Sequence, residues 1–70
     1  MLKARDRASR LRALRGAHRI SQKELGAEMG VHRSIVSVWE AGALTHARWM
    51  ETREAIERIV RRREVAEGAP

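Results

Sequence analysis

Arg33, Ser34, Ser37 and Val38 fall within one short stretch of the chain. They supply a guanidinium fork, two hydroxyls and an apolar side chain. At this spacing they share one side of a helix. Such a set can hydrogen-bond and pack, but it contains no base–nucleophile pair. Cys and Tyr are absent altogether. Most acidic residues fall at helix caps or on charged faces, where structural roles suffice, so no catalytic residue is assigned and an enzyme is rejected. His18, His32 and His46 recur every 14 residues, a spacing that invites a metal site. Their flanking residues do not repeat, and no Cys or carboxylate pattern supports a ligand set. The spacing is read as coincidence, and no metal, cofactor or small-molecule ligand is expected.

Lys and Arg account for 15 of the 70 residues, for a net charge of +6 and an isoelectric point near 11.5. That balance favours polyanion partners, because each neutralised phosphate releases condensed counterions. The plainer account is that arginine keeps a small helical protein soluble. The 3% aromatic content is two tryptophans, which argues against a base-stacking single-strand binder. Hydrophobic residues make up 43% and recur periodically, so the chain reads as folded despite 34% charge. Its length fits one domain near the lower size limit for independent folding. The absence of Cys makes a cytoplasmic location the default. No apolar run matches a membrane span, and the charged N-terminus lacks the core of a signal peptide.

The stretch Ile20 to Gly42, ISQKELGAEMGVHRSIVSVWEAG, is the element that must position the Arg33–Val38 set. Ser21 is a good N-cap and Glu24 completes a capping box, with Ile20 and Leu25 spaced as a hydrophobic staple. Leu25 and Met29 give residues 21–29 an apolar face, and Gly30 ends that helix. A second helix is expected over 33–40, with Val36 and Trp39 inward, Val31 packing from the turn and Gly42 marking the end. Two short helices joined by a tight turn make a helix-turn-helix.

At Ser21-Gln22-Lys23-Glu24-Leu25, Gly30-Val31, Ser34, Val36, Trp39-Glu40 and Gly42 the chain resembles the lambda-repressor/Cro-like (XRE) helix-turn-helix family of bacterial and phage transcription regulators. The likeness runs back through Leu11, Leu14 and Arg15 and covers about residues 8–49. It implies an all-α, lambda-repressor-like DNA-binding domain of four or five helices spanning residues 1–70. In that family a matching arginine pairs with the glutamate ending the recognition helix, which implies a structural Arg15–Glu40 salt bridge. A bidentate guanidinium–carboxylate pair can lock the first helix against the third. The resemblance also makes Gln22 a DNA-backbone contact, against simple exposure, with Lys23 assisting at a helix N-terminus. Where the family prefers Ala the chain has Gly26, which implies close approach of the third helix. Where it places a glycine before Ile20 the chain has Arg19, which implies a different turn or backbone strain.

As a recognition helix, residues 33–40 would present Arg33, Ser34, Ser37 and Val38 to DNA bases. Arg33 can donate to guanine O6 and N7, and Ser34 can bond a base edge or a phosphate. Val38 either meets a thymine methyl or is partly buried or held by a partner. His32 stands where a Ser or Thr cap is expected, weakens the cap and can instead meet a phosphate. Ile35 is expected at the edge of the core. In related repressors the loop at 41–47 follows the DNA backbone, which makes Arg48 a minor-groove or backbone contact.

The first helix is expected over residues 1–17, with Ala8, Leu11 and Leu14 inward and Lys3, Arg5, Arg7, Arg10 and Arg12 on a solvated face. A longer helix is expected from 47 to 64, with Trp49, Thr52, Ile56, Ile59 and Arg63 on one stripe and Val60 alongside. Part of that stripe must cover the core. The rest makes Trp49, Ile56, Ile59 and Val60 dimer-interface candidates. Arg61, Arg62 and Arg63 read as a solvated helix end, and 65–70 as a frayed tail.

The leading expectation is therefore a sequence-specific double-stranded DNA-binding regulator without a sensing domain, a homodimer on an inverted repeat. The resemblance suggests repression or autoregulation, or control of phage or mobile-element genes. The alternative is a protein-interaction module, antitoxin or anti-activator in type, whose last helix binds a protein partner. Arg33, Ser34 and Ser37 favour DNA, whereas Val38 and Ile35 fit the alternative.

Overall fold

A computed structural model describes residues 2–68. Four α-helices follow one another: α1 Ala4–Ala17, α2 Gln22–Met29, α3 Arg33–Val38 and α4 His46–Gly68. There is no strand among the described residues. Helix α3 runs straight into a π-type turn, Trp39–Ala43, broken by Gly42 at φ 118°. Glycine suits that conformation, which a Cβ would strain.

Leu11 of α1, Ile20 before α2, Leu25, Val36 and Leu44 are fully or almost fully buried. Trp39 covers them from the π turn, and Trp49, Ala55, Ile56 and Ile59 close the core from α4. The helical stripe of α4 is thus used inside the monomer. Trp49 at 8% exposure and Ile56 and Ile59 at 2% are core residues, which corrects their assignment as dimer candidates. Val60 is half-buried beside them. A heptad stripe looks the same in sequence whether it packs on its own domain or on a partner. Thr52, also buried, satisfies its hydroxyl by donating to the Trp49 carbonyl at 2.8 Å.

Helix α4 is longer than expected, continuing through Gly68. The frayed tail placed at 65–70 is helical as far as Gly68, and Ala69 and Pro70 lie outside the described residues. Its start is capped by Thr45, whose Oγ1 accepts from the Arg48 amide at 3.2 Å.

Several arginines expected on solvated faces are structural. Arg7 donates from Nε to the Leu44 carbonyl at 2.6 Å and from Nη1 to the Leu2 carbonyl. Arg12 donates to the Glu40 carbonyl. Both bond backbone groups remote in sequence, an option open to a long guanidinium stem. Arg63 crosses from α4 to donate to Glu24 at 2.7 Å and to the carbonyls of His18 and Arg19. Those carbonyls end α1, where cations satisfy unpaired acceptors. Arg58 and Arg62 both bond Glu28 of α2. Arg61 is exposed, as the solvated helix end required.

Candidate nucleic-acid interface

Helix α2 begins as its sequence dictates. The Ser21 hydroxyl oxygen accepts from the Glu24 amide at 2.9 Å. The reciprocal half of the capping box is replaced, because the Glu24 carboxylate bonds Arg63 instead. The helix ends at Gly30, in the left-handed conformation with φ 71°. The turn into α3 then folds back tightly. A Cβ on Gly26 would lie 2.6 Å from the Val31 carbonyl oxygen and 3.3 Å from the Arg33 nitrogen. The glycine is required by the backbone of the turn and the first residue of α3, a tighter approach than helix against helix.

His32 caps α3, correcting the expectation of a weakened cap. Its Nδ1 accepts from the Ser34 amide at 3.1 Å and lies 2.9 Å from the Ser34 hydroxyl. Accepting from an amide requires Nδ1 to be unprotonated, so the neutral ring carries its proton on Nε2. The imidazole thus does the work of a serine oxygen. Lys23, His32 and Arg33 are all exposed and, with Ala27 and Val31, line one hollow of about 390 Å³. Three side chains assigned separately from sequence are therefore brought together at the mouth of the turn.

Helix α3 buries only Val36. Arg33, Ser34, Ser37 and Val38 are exposed on its free side. Ile35 is 42% exposed and Val38 is 53% exposed. That corrects the placement of Ile35 at the core edge and removes burial as an account of Val38. Ile35 turns out because Val36 and Trp39 already fill the inward positions.

Orientation of α3 is fixed from behind. Arg15 donates from Nε to Glu40 Oε2 at 2.7 Å and from Nη2 to Oε1 at 2.9 Å. It also donates to the Ile20 carbonyl at 3.0 Å. The Gln22 amide donates to the same Glu40 Oε1 at 3.1 Å. One carboxylate thus ties together α1, the start of α2 and the turn after α3. Burial pushes the Glu40 carboxyl up, but hydrogen bonds from Arg15 and Gln22 and the charges of Arg15 and Arg12 outweigh it. The net shift is downward, so the group stays ionised. The hydrogen bond to Glu40 likewise holds the Arg15 guanidinium more firmly protonated. Gln22 is half-buried and engaged with this lock, a geometry that its position in the sequence did not disclose.

Arg48 stands at the start of α4, its guanidinium 5.6 Å from the Trp39 ring centroid and 2.7 Å from Glu51. It is exposed beside the π turn that ends α3, a guanidinium over an aromatic face. Among the described residues no group of His, Asp and Glu is arranged to hold a metal ion. No helix among them is long and apolar enough to cross a membrane.

The arrangement is a two-helix unit, tied to α1 through Glu40, that projects a short, exposed helix bearing Arg33 and two hydroxyls from a positively charged chain. Neither a curated protein nor a solved structure matches the chain. A helix-turn-helix family model, of the XRE, lambda-repressor/Cro-like type, matches residues 11–47, more than half of the chain. Its span runs from the first core leucine of α1, through both helices of the motif and their Arg15–Glu40 lock, to the start of α4. The chain therefore belongs to the XRE-type helix-turn-helix family of DNA-binding regulators.

Proposed function

We propose that this protein is a sequence-specific double-stranded DNA-binding transcription regulator that acts as a homodimer on an inverted-repeat operator. The observation that carries the reading is the exposed side of α3, where Arg33, Ser34, Ser37 and Val38 stand clear of every core contact. A helix of this kind fits the major groove with its N-terminal residues toward base edges. Arg33 donates in parallel to guanine O6 and N7, Ser34 and Ser37 bond base edges or phosphates, and Val38 meets a thymine methyl. Ile35, exposed beside them, extends the apolar contact. Lys23, His32 through Nε2–H, and Arg48 contact the sugar–phosphate backbone, with Gln22 orienting the start of α2 against it. Control then follows from protein concentration and operator occupancy, as in repressors of phage or mobile-element genes.

The experiment is selection of bound duplexes from a random pool at about 150 mM salt, where non-specific phosphate attraction is screened. An enriched inverted repeat is expected. Weak, strongly salt-sensitive binding without an enriched motif would replace this reading with that of a protein-interaction module.

A further inference from the structure

Arg53, Glu57, Arg61 and Glu64 form a row along α4 whose charges alternate in sign. All four are exposed and edge a groove of about 330 Å³ that Leu14 of α1 and Ile56 and Val60 of α4 floor. The groove adjoins a second hollow of about 560 Å³ through shared Leu14 and Arg53. Several neighbouring charges are engaged elsewhere: Arg58 and Arg62 with Glu28, Arg63 with Glu24, and Arg48 with Glu51. Arg10 of α1 lines the second hollow, and Glu54 edges a separate one with Glu28 and Arg58. Among the described residues Glu57, Arg61 and Glu64 belong to no ion pair, and Arg53 lies 5.8 Å from the Trp49 ring centroid.

A row reading plus, minus, plus, minus becomes its own complement when reversed. Two α4 helices laid antiparallel about a two-fold axis between residues 58 and 59 set Arg53 opposite Glu64 of the second copy. The same register sets Glu57 beside Arg61 of the second copy, and the axis repeats both pairs. Val60, half-buried in the groove floor, then lies near the axis. Parallel packing would instead stack like charges at every position, and a partner of one sign would satisfy only half the row. We propose that a second copy of this chain docks in the α1–α4 groove, with the two α4 helices antiparallel. This is an isologous contact, the same patch used by both subunits. Helix α4 packs on α1 and α2 but not on α3, so the surface lies apart from the exposed side of α3. It specifies how the homodimer of the proposed function is built, and it rests on that reading.

Three proteins test it by sedimentation of the full chain over a concentration series: wild type, Glu57→Arg and Arg61→Glu. Each single change sets like charges face to face twice, and each should weaken dimerisation by about tenfold or more. Mixing the two variants restores opposite charges in both pairs, so the mixture should form a heterodimer while each alone stays monomeric. That recovery excludes misfolding and excludes pairing within one helix, since neither variant alone has Glu57 and Arg61 of opposite sign. Variants that dimerise like wild type would overturn the α4 interface while leaving the homodimer intact. Monomeric variants whose mixture does not recover would also overturn it. A wild type that stays monomeric throughout would remove the homodimer itself.

Discussion

Arg15 grips both carboxylate oxygens of Glu40, at 2.7 and 2.9 Å, across 25 residues of sequence. Glu40 is 6% exposed and Arg15 20%. A nearly buried carboxylate without its guanidinium would keep its desolvation cost and lose its compensation. Arg15→Ala is expected to destabilise the fold by about 3 kcal/mol, the lower end for a buried pair because Arg15 is partly wet. Glu40→Gln should cost less, since a neutral amide tolerates burial and still accepts one hydrogen bond. Urea unfolding of both variants and of the double variant measures the coupling. Additive losses would show that the pair is not a unit.

Gly26 poses a contest between two effects. Alanine raises helix propensity by about 1 kcal/mol over glycine, but here its Cβ would meet the Val31 carbonyl 2.6 Å away. The obstacle is backbone, which cannot swing aside as a flexible side chain can. Gly26→Ala is therefore expected to lower stability by a net amount of about 1–3 kcal/mol and to weaken DNA binding by displacing α3. A thermal melt showing equal or greater stability would contradict that turn geometry.

Acid should loosen the contact of α2 with α4. Hydrogen bonds from Arg62 and Arg58 hold the Glu28 carboxyl down from 4.5 to about 2. Because the folded-state value is the lower one, folding gains stability above the unfolded-state value and loses it as pH falls toward about 2. Glu40 is depressed too, so its contribution runs in the same direction. Stability is expected to be level above the ordinary carboxylate range and to fall below it. Glu28→Gln should flatten part of that fall, as chemical denaturation at a series of pH values would register. An unchanged pH profile in the variant would remove Glu28 as a contributor.

Arg33→Ala is expected to relax preference at one position of each half-site and to cost about 1–3 kcal/mol there. Repeating the duplex selection with the variant reads this directly. Equal losses on random and selected duplexes would reassign Arg33 to the phosphate backbone.

The helix-turn-helix was legible because its signals are local. Ser21 caps, Gly30 stops and Val36 points inward through choices made within a few residues. The Arg15–Glu40 lock is not local, and it was reached through the family resemblance. Arg19 stands before Ile20 where the family has glycine, which implies a different turn or backbone strain, and its φ of 54° lies in the left-handed region that strains a residue with a Cβ. The contacts of Arg63 with Glu24 and of Arg7 with Leu44 were not legible, since they join residues 39 and 37 apart with no spacing rule to link them. Leu44, fully buried, lies in the connection between helices, where no periodic pattern marks an inward position. His32 misled because serine and threonine are the usual caps, although an imidazole nitrogen offers the same lone pair.

Because α3 commits Val36 alone to the core, five of its six side chains are exposed. Exchanging those five leaves the packing behind them nearly untouched. Whatever preference α3 confers can thus be rewritten over successive generations with little thermodynamic penalty, which makes the fold an evolvable chassis for new targets.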